Sequence, residues 1–575
     1  MSSLLFNDET NDELPFEENF IEQAEYIGRE KFLLLAADHP REASILKKLV
    51  GGGAKLLIGP RGCGKSTLMR KAYYGALDGG VSGVFPIYVN FKLALKLEPF
   101  YVNGPNASYW FKKWLVLKVL QSALEAINES DGLVKPSRFP SKKKLTQEIN
   151  NLEANRSDGE AGEEYTVSLL IELVEEIISE NDLTRSVILI DDAAHSFSEK
   201  QQEDFFDFFR AIKTRLLSPK AAIYPGITSN SASFHIGHDA EQIDAWVRPA
   251  GTEYEEFMIS LATKRLEGTG ANFISDNEED IRFLAYASFG VPRGFLGMLR
   301  AIYNSPDAYL NSDGSLNKAK VLRLSRAGRD MSHAVFDSLT AKLPSYESYV
   351  ENGSKLYQSI LSELKAFNKG KVTSKQGIQF AIKTPLGADL DKVFGFLQYA
   401  GLIMPAGQVL KGEKGTFKIF DVHIGDLTAE NTIVGKRTKS IPSFLEVIRA
   451  TRHNAWPRLS TNSLFEAANV NTDTFTLSLP LCHSCDTPRD NPEAKFCSNC
   501  GAQLKPSSTY EALVQKDISV LPISSAMLKR IKSNSHIRKV RDILIDASRE
   551  TLLGINYIGK VRATRIVALA EEHVS

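Results

Sequence analysis

Apolar residues along this chain fall into short dense runs and longer, spaced ones. The segments 55–58, 84–90, 186–192 and 221–227 are almost continuously apolar and are bounded by polar or glycine-rich residues. Each predicts a strand buried on both faces. Segments 41–50, 67–72, 108–127 and 164–180 carry apolar residues at helical spacing instead. Strands alternating with helices predict an α/β core with a parallel sheet. Between two of the helices, 128–163 is polar, charged and rich in Ser and Lys, and predicts a surface insertion. Phe205-Phe206-Asp207-Phe208-Phe209 predicts a helix that packs its aromatics into the core. The stretch 275–289 opens with a capping Ser275, has acids in its first turn and an apolar stripe, and closes at Gly290. It runs into Val291-Pro292-Arg293, which opens a further helix.

The first strand leads directly into Gly59-Pro60-Arg61-Gly62-Cys63-Gly64-Lys65-Ser66, with Thr67 beginning the helix. This fits G-x-x-x-x-G-K-[ST] in the strand–loop–helix context that a phosphate-binding loop requires. The glycines let successive backbone N–H groups turn toward the β- and γ-phosphates, and the helix N-terminus faces the same charge. Lys65 adds a full positive charge, and the Ser66 hydroxyl is a ligand for Mg²⁺. The strand 186–192 ends in Asp191 and Asp192, at the sheet edge where open α/β folds bind ligands. Asp191 is expected to hold Mg²⁺ through water, and Asp192 to orient or deprotonate an attacking water. The strand 221–227 ends at Thr228 and Ser229. A polar residue there either touches the γ-phosphate or simply ends a strand. Arg293 likewise either reaches a phosphate or is an exposed base.

At 575 residues the chain exceeds a single core, which stops growing at about 250–300 residues. Composition is that of an ordinary soluble chain, 43% hydrophobic and 24% charged. The net charge of -1 excludes a protein coated in positive charge but leaves room for one basic face. No apolar run approaches the length of about 18 residues that a membrane span needs, and residues 1–18 are acidic, without a signal-peptide core. Of five cysteines, one lies in the phosphate loop and four cluster further on. That pattern suits a reducing cytoplasm and a metal site.

Cys482-x-x-Cys485 and Cys497-x-x-Cys500 are separated by eleven turn-rich residues. Two such knuckles bring four thiolates to one tetrahedral centre, the preference of Zn²⁺, and with all positions filled by Cys the site is structural and closed. The arrangement resembles a zinc ribbon. Residues 340–430 resemble a winged helix, with helices at 357–367 and 389–400, strands at 401–404, 409–411 and 416–422, and Lys365, Lys369, Lys371, Lys375, Lys383, Lys411 and Lys414 along it. Those lysines either contact DNA phosphates or form a solvated face of a protein-interaction domain. Ile555 to Ile566 looks like a helix-hairpin-helix turning at Gly559, and the wider C-terminal stretch resembles the C-terminal domain of the bacterial RNA polymerase α subunit. Lys560 and Arg562 could add charge to a DNA contact there, but Tyr557 stands where such hairpins have their first glycine. Protein docking is the equal alternative.

Over roughly residues 40–430 the constellation resembles the AAA+ ATPases, and within them the Orc/Cdc6 branch. The resemblance implies an α/β P-loop core with a helical lid, ATP and Mg²⁺ as cofactors, and a homo-oligomer. Gly290-Val291-Pro292-Arg293 looks like the branch's sensor-2 motif. Thr228 or Asn230 would be sensor 1, and Asn90 is similar to the residue that restrains the catalytic acid. Arg248, Arg210 and Arg215 compete for the arginine finger. The family's catalytic acid is usually Glu; Asp192 is one methylene shorter, which favours a slow switch. The absence of an Asn-Lys-x-Asp segment argues for ATP over GTP. The expected organisation is an acidic lead-in (1–40), the ATPase core (41–250), the lid (251–335), the winged helix (336–430), a connector (431–480), the zinc ribbon (481–504) and the helix-hairpin-helix domain (510–575). The reading is an ATP-driven switch that controls attachment to DNA or nucleoprotein. Its rivals are a signalling ATPase of a bacterial phage-defence or regulatory system acting on a partner protein, and an ATP-stabilised scaffold.

Overall fold

The structure, a computed structural model, describes residues 24–79, 83–103, 106–130, 132–156, 164–192, 198–229, 234–266, 271–435, 439–450, 456–479, 481–482, 484–489, 494, 496–504, 508–546 and 548–574. The acidic segment 1–23, Asn230, Arg452 and His483 lie outside them. Five strands form one parallel sheet: β1 (Lys55–Ile58), β2 (Val84–Asn90), β3 (Arg185–Asp191), β4 (Leu217–Ile223) and β5 (Glu241–Asp244). Their spatial order is β2-β3-β4-β1-β5. Parallel pairing needs crossovers, and helices covering both faces explain why β3 and β4 are buried along nearly their whole length. The order puts β4 between β1 and β3, with Ile58 beside Ile223 and Ile190 beside Ala221. Whatever follows β4 therefore stands between the phosphate loop and the acidic strand end.

β4 lies earlier than its apolar run predicts. It ends at Ile223, because Pro225-Gly226 turn the chain. Its interior Lys220 is tolerated because the ammonium donates to the carbonyls of Gly51 and Gly53. The helix Ala107–Glu129 is apolar nearly all round because it packs between the sheet and a further helix, Lys142–Glu153. This second helix lies in the stretch expected as a polar insertion. Its Leu145, Ile149 and Leu152 share one buried face, so three apolar residues over two turns sufficed to dock a segment that is polar on average. Phe205, Phe206, Phe208 and Phe209 are buried as expected.

The segment expected as the lid contains the helices Thr252–Leu266, Glu278–Ala287, Pro292–Asn304 and Lys318–Asp337. The expected cap is corrected: Ser275 belongs to the short helix Ala271–Asp276, and the next helix starts at Glu278 after Asn277, with the expected acids, Glu278, Glu279 and Asp280, in its first turn. Beyond the lid come Glu347–Asn368, β6 (Gln379–Lys383), Ala388–Tyr399, β7 (Ile403–Leu410), β8 (Thr416–Val422) and β9 (Arg458–Leu459), the strands ordered β7-β8-β6-β9. The β7–β8 hairpin is antiparallel. The helix Ala388–Tyr399 is not free to enter a nucleic-acid groove. It is buried through Leu390, Val393, Phe394, Phe396, Leu397 and Tyr399, and it rests on the core that holds the parallel sheet. A Cβ on Gly395 would lie 2.4 Å from Gly226 Cα, so this backbone approach requires glycine. The Arg61 N–H donates to the Tyr399 carbonyl at 3.1 Å.

The C-terminal helices Thr509–Val514, Ser525–Asn534, Val540–Ile545, Glu550–Leu553 and Lys560–Val574 surround their own apolar cluster, which includes Ile518, Ile531, Val540, Ile543, Leu552 and Ile566. Leu95, which follows β2, joins that cluster. Next to it, one oxygen of Glu98 accepts from the Ser508 hydroxyl (2.9 Å) and the Tyr510 N–H (2.8 Å), tying the domain to the core. Among the described residues no helix is long and apolar enough to cross a membrane.

Candidate nucleotide cleft and metal centre

Gly62 and Gly64 take φ of 82° and 100°, the left-handed backbone that glycine adopts without penalty. At Gly62 a side chain would also collide with the lid, its Cβ falling 2.9 Å from the Arg293 Cβ. Lys65 folds back into its own loop. Its Nζ donates to the carbonyls of Gly59 (2.8 Å) and Pro60 (3.0 Å) and stands 3.7 Å from the centre of the Tyr224 ring. Burial pushes its pKa below the usual lysine value. Cys63 is buried in the same loop, and burial pushes its thiol up, which leaves it a packing residue rather than a nucleophile.

Asp191 ends β3 and accepts hydrogen bonds from the Tyr88 hydroxyl (2.7 Å) and from Ser66. Burial, and then the adjacent charge of Asp192, push its pKa up. Asp192 has a φ of 49°. Its N–H donates to Asp191 (3.0 Å), while its carboxylate accepts from the Tyr224 hydroxyl (2.9 Å) and the Asn90 amide (3.5 Å). Lys65, Ser66, Asn90, Asp191 and Asp192 therefore converge as expected, and Arg293 reaches them from the lid, its N–H donating to the Gly62 carbonyl at 3.3 Å.

Thr228 does not join them. Its hydroxyl accepts from the Tyr224 N–H at 3.0 Å and closes the turn after β4, and it does not line the cleft. Tyr224 takes the position between loop and acid that was assigned to Thr228. Nothing in the sequence marked it, since a tyrosine at the end of an apolar run reads as core. Arg248 is paired with Asp421 at 2.9 Å, and Arg210 and Arg215 are exposed.

The cleft encloses a cavity of about 110 Å³, smaller than the roughly 300–1,000 Å³ usual for a ligand site. One end is polar, with Arg61, Lys65, Ser66, Thr67, Lys92, Asp192 and Arg293. The other is lined by Ala36, Ala37, Phe257, Leu261 and Leu296, beside His39. His39 Nδ1 accepts from the Arg41 N–H at 3.0 Å, so its other nitrogen carries the proton toward the Ala245 carbonyl, 3.2 Å away. Burial pushes its pKa down to about 4, and the ring is neutral at pH 7. Glu572, from the far end of the chain, also lines the polar end.

The sulfurs of Cys482, Cys485, Cys497 and Cys500 all lie within 4.8 Å of one another, with Cys482–Cys500 at 3.5 Å and Cys485–Cys497 at 3.6 Å. Four sulfurs around zinc at about 2.3 Å stand about 3.8 Å apart, so the donor set fits that ion. The hydroxyl of Thr487, 3.1 Å from the Cys485 sulfur, and its N–H hold that thiol down at about 6. The Asn499 N–H donates to Cys497 Sγ at 3.4 Å. These outer hydrogen bonds favour thiolates.

In the C-terminal domain the chain turns between Glu550–Leu553 and Lys560–Val574. Tyr557 adopts a φ of 69° there, a glycine-like conformation carrying an exposed ring, with the Arg530 guanidinium 4.5 Å above it.

A scan against protein-family models and a search of curated proteins return no match. Among solved structures the chain is similar to the ORC1 protein of Aeropyrum pernix in complex with DNA, at 14% identity over 71% of this chain and 97% of that one, with a TM-score of 0.27. It is similar to the Aeropyrum pernix ORC2 protein in ADPNP-ADP complexes, at 11% identity over 71% and 93%, TM-score 0.33. It is also similar to CDC6P of Pyrobaculum aerophilum, at 14% identity over 73% and 98%, TM-score 0.27.

Proposed function

We propose that the chain is an ATP-binding and hydrolysing switch of the Orc/Cdc6-like AAA+ kind, whose nucleotide state governs attachment to DNA or nucleoprotein. The observation that carries this is the convergence of Lys65, Ser66, Asp191 and Asp192 at one sheet edge, under an arginine supplied by the lid. The loop N–H groups and Lys65 bind the β- and γ-phosphates, and the apolar end of the cleft takes the base beside neutral His39. Ser66 and Asp191 would hold Mg²⁺, which neutralises charge on the phosphates. Asp192 positions water for attack, itself held by Tyr224 and Asn90, and Arg293 senses the γ-phosphate. A shorter acid than glutamate suits slow turnover. The four cysteines hold Zn²⁺ as a structural ion. A neighbouring copy in a homo-oligomer would complete the site with an arginine.

DNA contact falls to the β7–β8 hairpin and the exposed Lys369, Lys375 and Lys383, with Lys560 and Arg562 as a second basic point. One observation favours the rival reading of a signalling ATPase that acts on a partner protein: a helix of the winged-helix-like segment, Ala388–Tyr399, is buried against the core. ATP hydrolysis measured with and without double-stranded DNA, for the wild type, Lys65→Ala and Asp192→Asn, separates them. Stimulation by DNA that both variants lose supports the DNA switch. Turnover indifferent to DNA supports the partner reading. ATP binding without turnover leaves a scaffold and removes Asp192 from the catalytic role.

A further inference from the structure

The last helix, Lys560–Val574, ends inside the polar end of the cleft. The Glu572 carboxylate accepts from Arg61 Nε at 3.1 Å and from Arg293 NH1. Its backbone carbonyl accepts from Arg61 NH2 at 3.2 Å and from Lys342 Nζ at 3.0 Å. Beside it, Glu571 pairs with Lys92 at 3.5 Å and accepts from the Tyr26 hydroxyl. The three cations that hold Glu572 thus come from three regions: the phosphate loop, the lid and the helix Leu339–Lys342 that follows it. A helix also points its negative end along its C-terminal carbonyls, so backbone and side chain bring negative charge to the same cationic pocket. Although burial opposes ionisation, Arg293 and Arg61 hold the Glu572 carboxyl well below the usual carboxylate range.

We infer that Glu572 occupies the place of the terminal phosphate, so that the docked C-terminal domain and a bound nucleoside triphosphate exclude one another. The inference rests on the nucleotide-site reading. One carboxylate engages both guanidiniums that face the phosphate loop, and a γ-phosphate needs the same donors. A nucleoside diphosphate lacks that group and leaves the Glu572 pairs in place. Binding of the triphosphate therefore frees the helix Lys560–Val574, while the Glu98 contacts to Ser508 and Tyr510 on the other side of the domain keep it tethered. The coupling is reciprocal: the factor by which docking weakens triphosphate binding is the factor by which triphosphate weakens docking.

The test uses the full chain. Affinities for ATP and ADP are measured by calorimetry for the wild type, Glu572→Gln, Glu572→Ala and Lys65→Ala, and amide hydrogen exchange is followed in residues 560–574. Loss of Glu572 is expected to tighten ATP binding about tenfold, as befits two charge-assisted bonds removed from the competing state, with ADP affinity little changed. ATP, but not ADP, is expected to raise exchange in 560–574 of the wild type. ATP binding that requires Lys65 but is unchanged or weakened in both Glu572 variants overturns this inference and spares the nucleotide site. Protection of 560–574 that ATP leaves intact overturns it equally. If neither the wild type nor the Glu572 variants bind ATP, the nucleotide reading and the inference fall together.

Discussion

The nucleotide cleft and the cysteine centre both gather charged or chargeable groups within a few ångströms, but they hold them in place by different means. The cleft's acids and lysine stand on strands and helices whose apolar residues form one continuous buried core. The cysteine centre has no such support. Leu481 and Phe496, the large apolar residues flanking its knuckles, are exposed, and what converges there is the four sulfurs with the polar groups of Thr487 and Asn499 that bond to them. The comparison teaches where binding energy goes. At the cleft, a continuous apolar core holds the side chains, so ligand binding energy would be available for switching. At the cysteines, metal binding would be folding energy.

The sharpest way to break this contrast is to remove the metal. Chelation, or Cys497→Ser, is expected to unfold residues 481–504 and release one zinc per chain, since structural zinc contributes about 10–16 kcal/mol in comparable small sites. Metal analysis and hydrogen exchange read it, and the thermal transition of the ATPase core should stay where it was. Continued protection of 481–504 without metal would show that the segment folds on packing after all. The converse perturbation is Trp114→Ala, at a fully buried site. A loss of about 3–5 kcal/mol in denaturant unfolding is expected with zinc content unchanged.

Within the cleft, Asp192→Asn is expected to lower ATP turnover by about 10²–10⁴-fold while retaining nucleotide binding. Tyr224→Phe removes the hydroxyl that holds Asp192 at 2.9 Å and is expected to cost about 1 kcal/mol, or several-fold in turnover, with little effect on ATP affinity. If Tyr224→Phe were neutral and Thr228→Val were not, the assignment of the position between loop and acid would revert to Thr228. The smallest effect is expected at the hairpin. Lys411→Ala should lower the salt dependence of DNA binding by a slope of about 1, and no change there would favour the partner-protein reading.

What the sequence by itself determined are the features that local rules control. β2 was legible from 84–90 to the residue, and so was the acid at the end of β3, because a run buried on both faces needs no knowledge of its neighbours. The phosphate loop and the paired Cys-x-x-Cys knuckles were legible for the same reason: their chemistry is written in fixed short spacings. Tertiary structure decided the rest. Strand order put β4 between β1 and β3, and so chose Tyr224 over Thr228. The Gly226–Gly395 approach buried the helix Ala388–Tyr399 against the core, a contact that its amphipathic pattern does not specify. Packing against Ala107–Glu129 turned a polar insertion into a docked helix. The pairing of Arg61 with Glu572 joins residues 511 positions apart. No periodicity reports such a pair, because ion pairs between domains depend on how separately folded surfaces meet, whereas strands, loops and knuckles depend only on residues that are already neighbours along the chain.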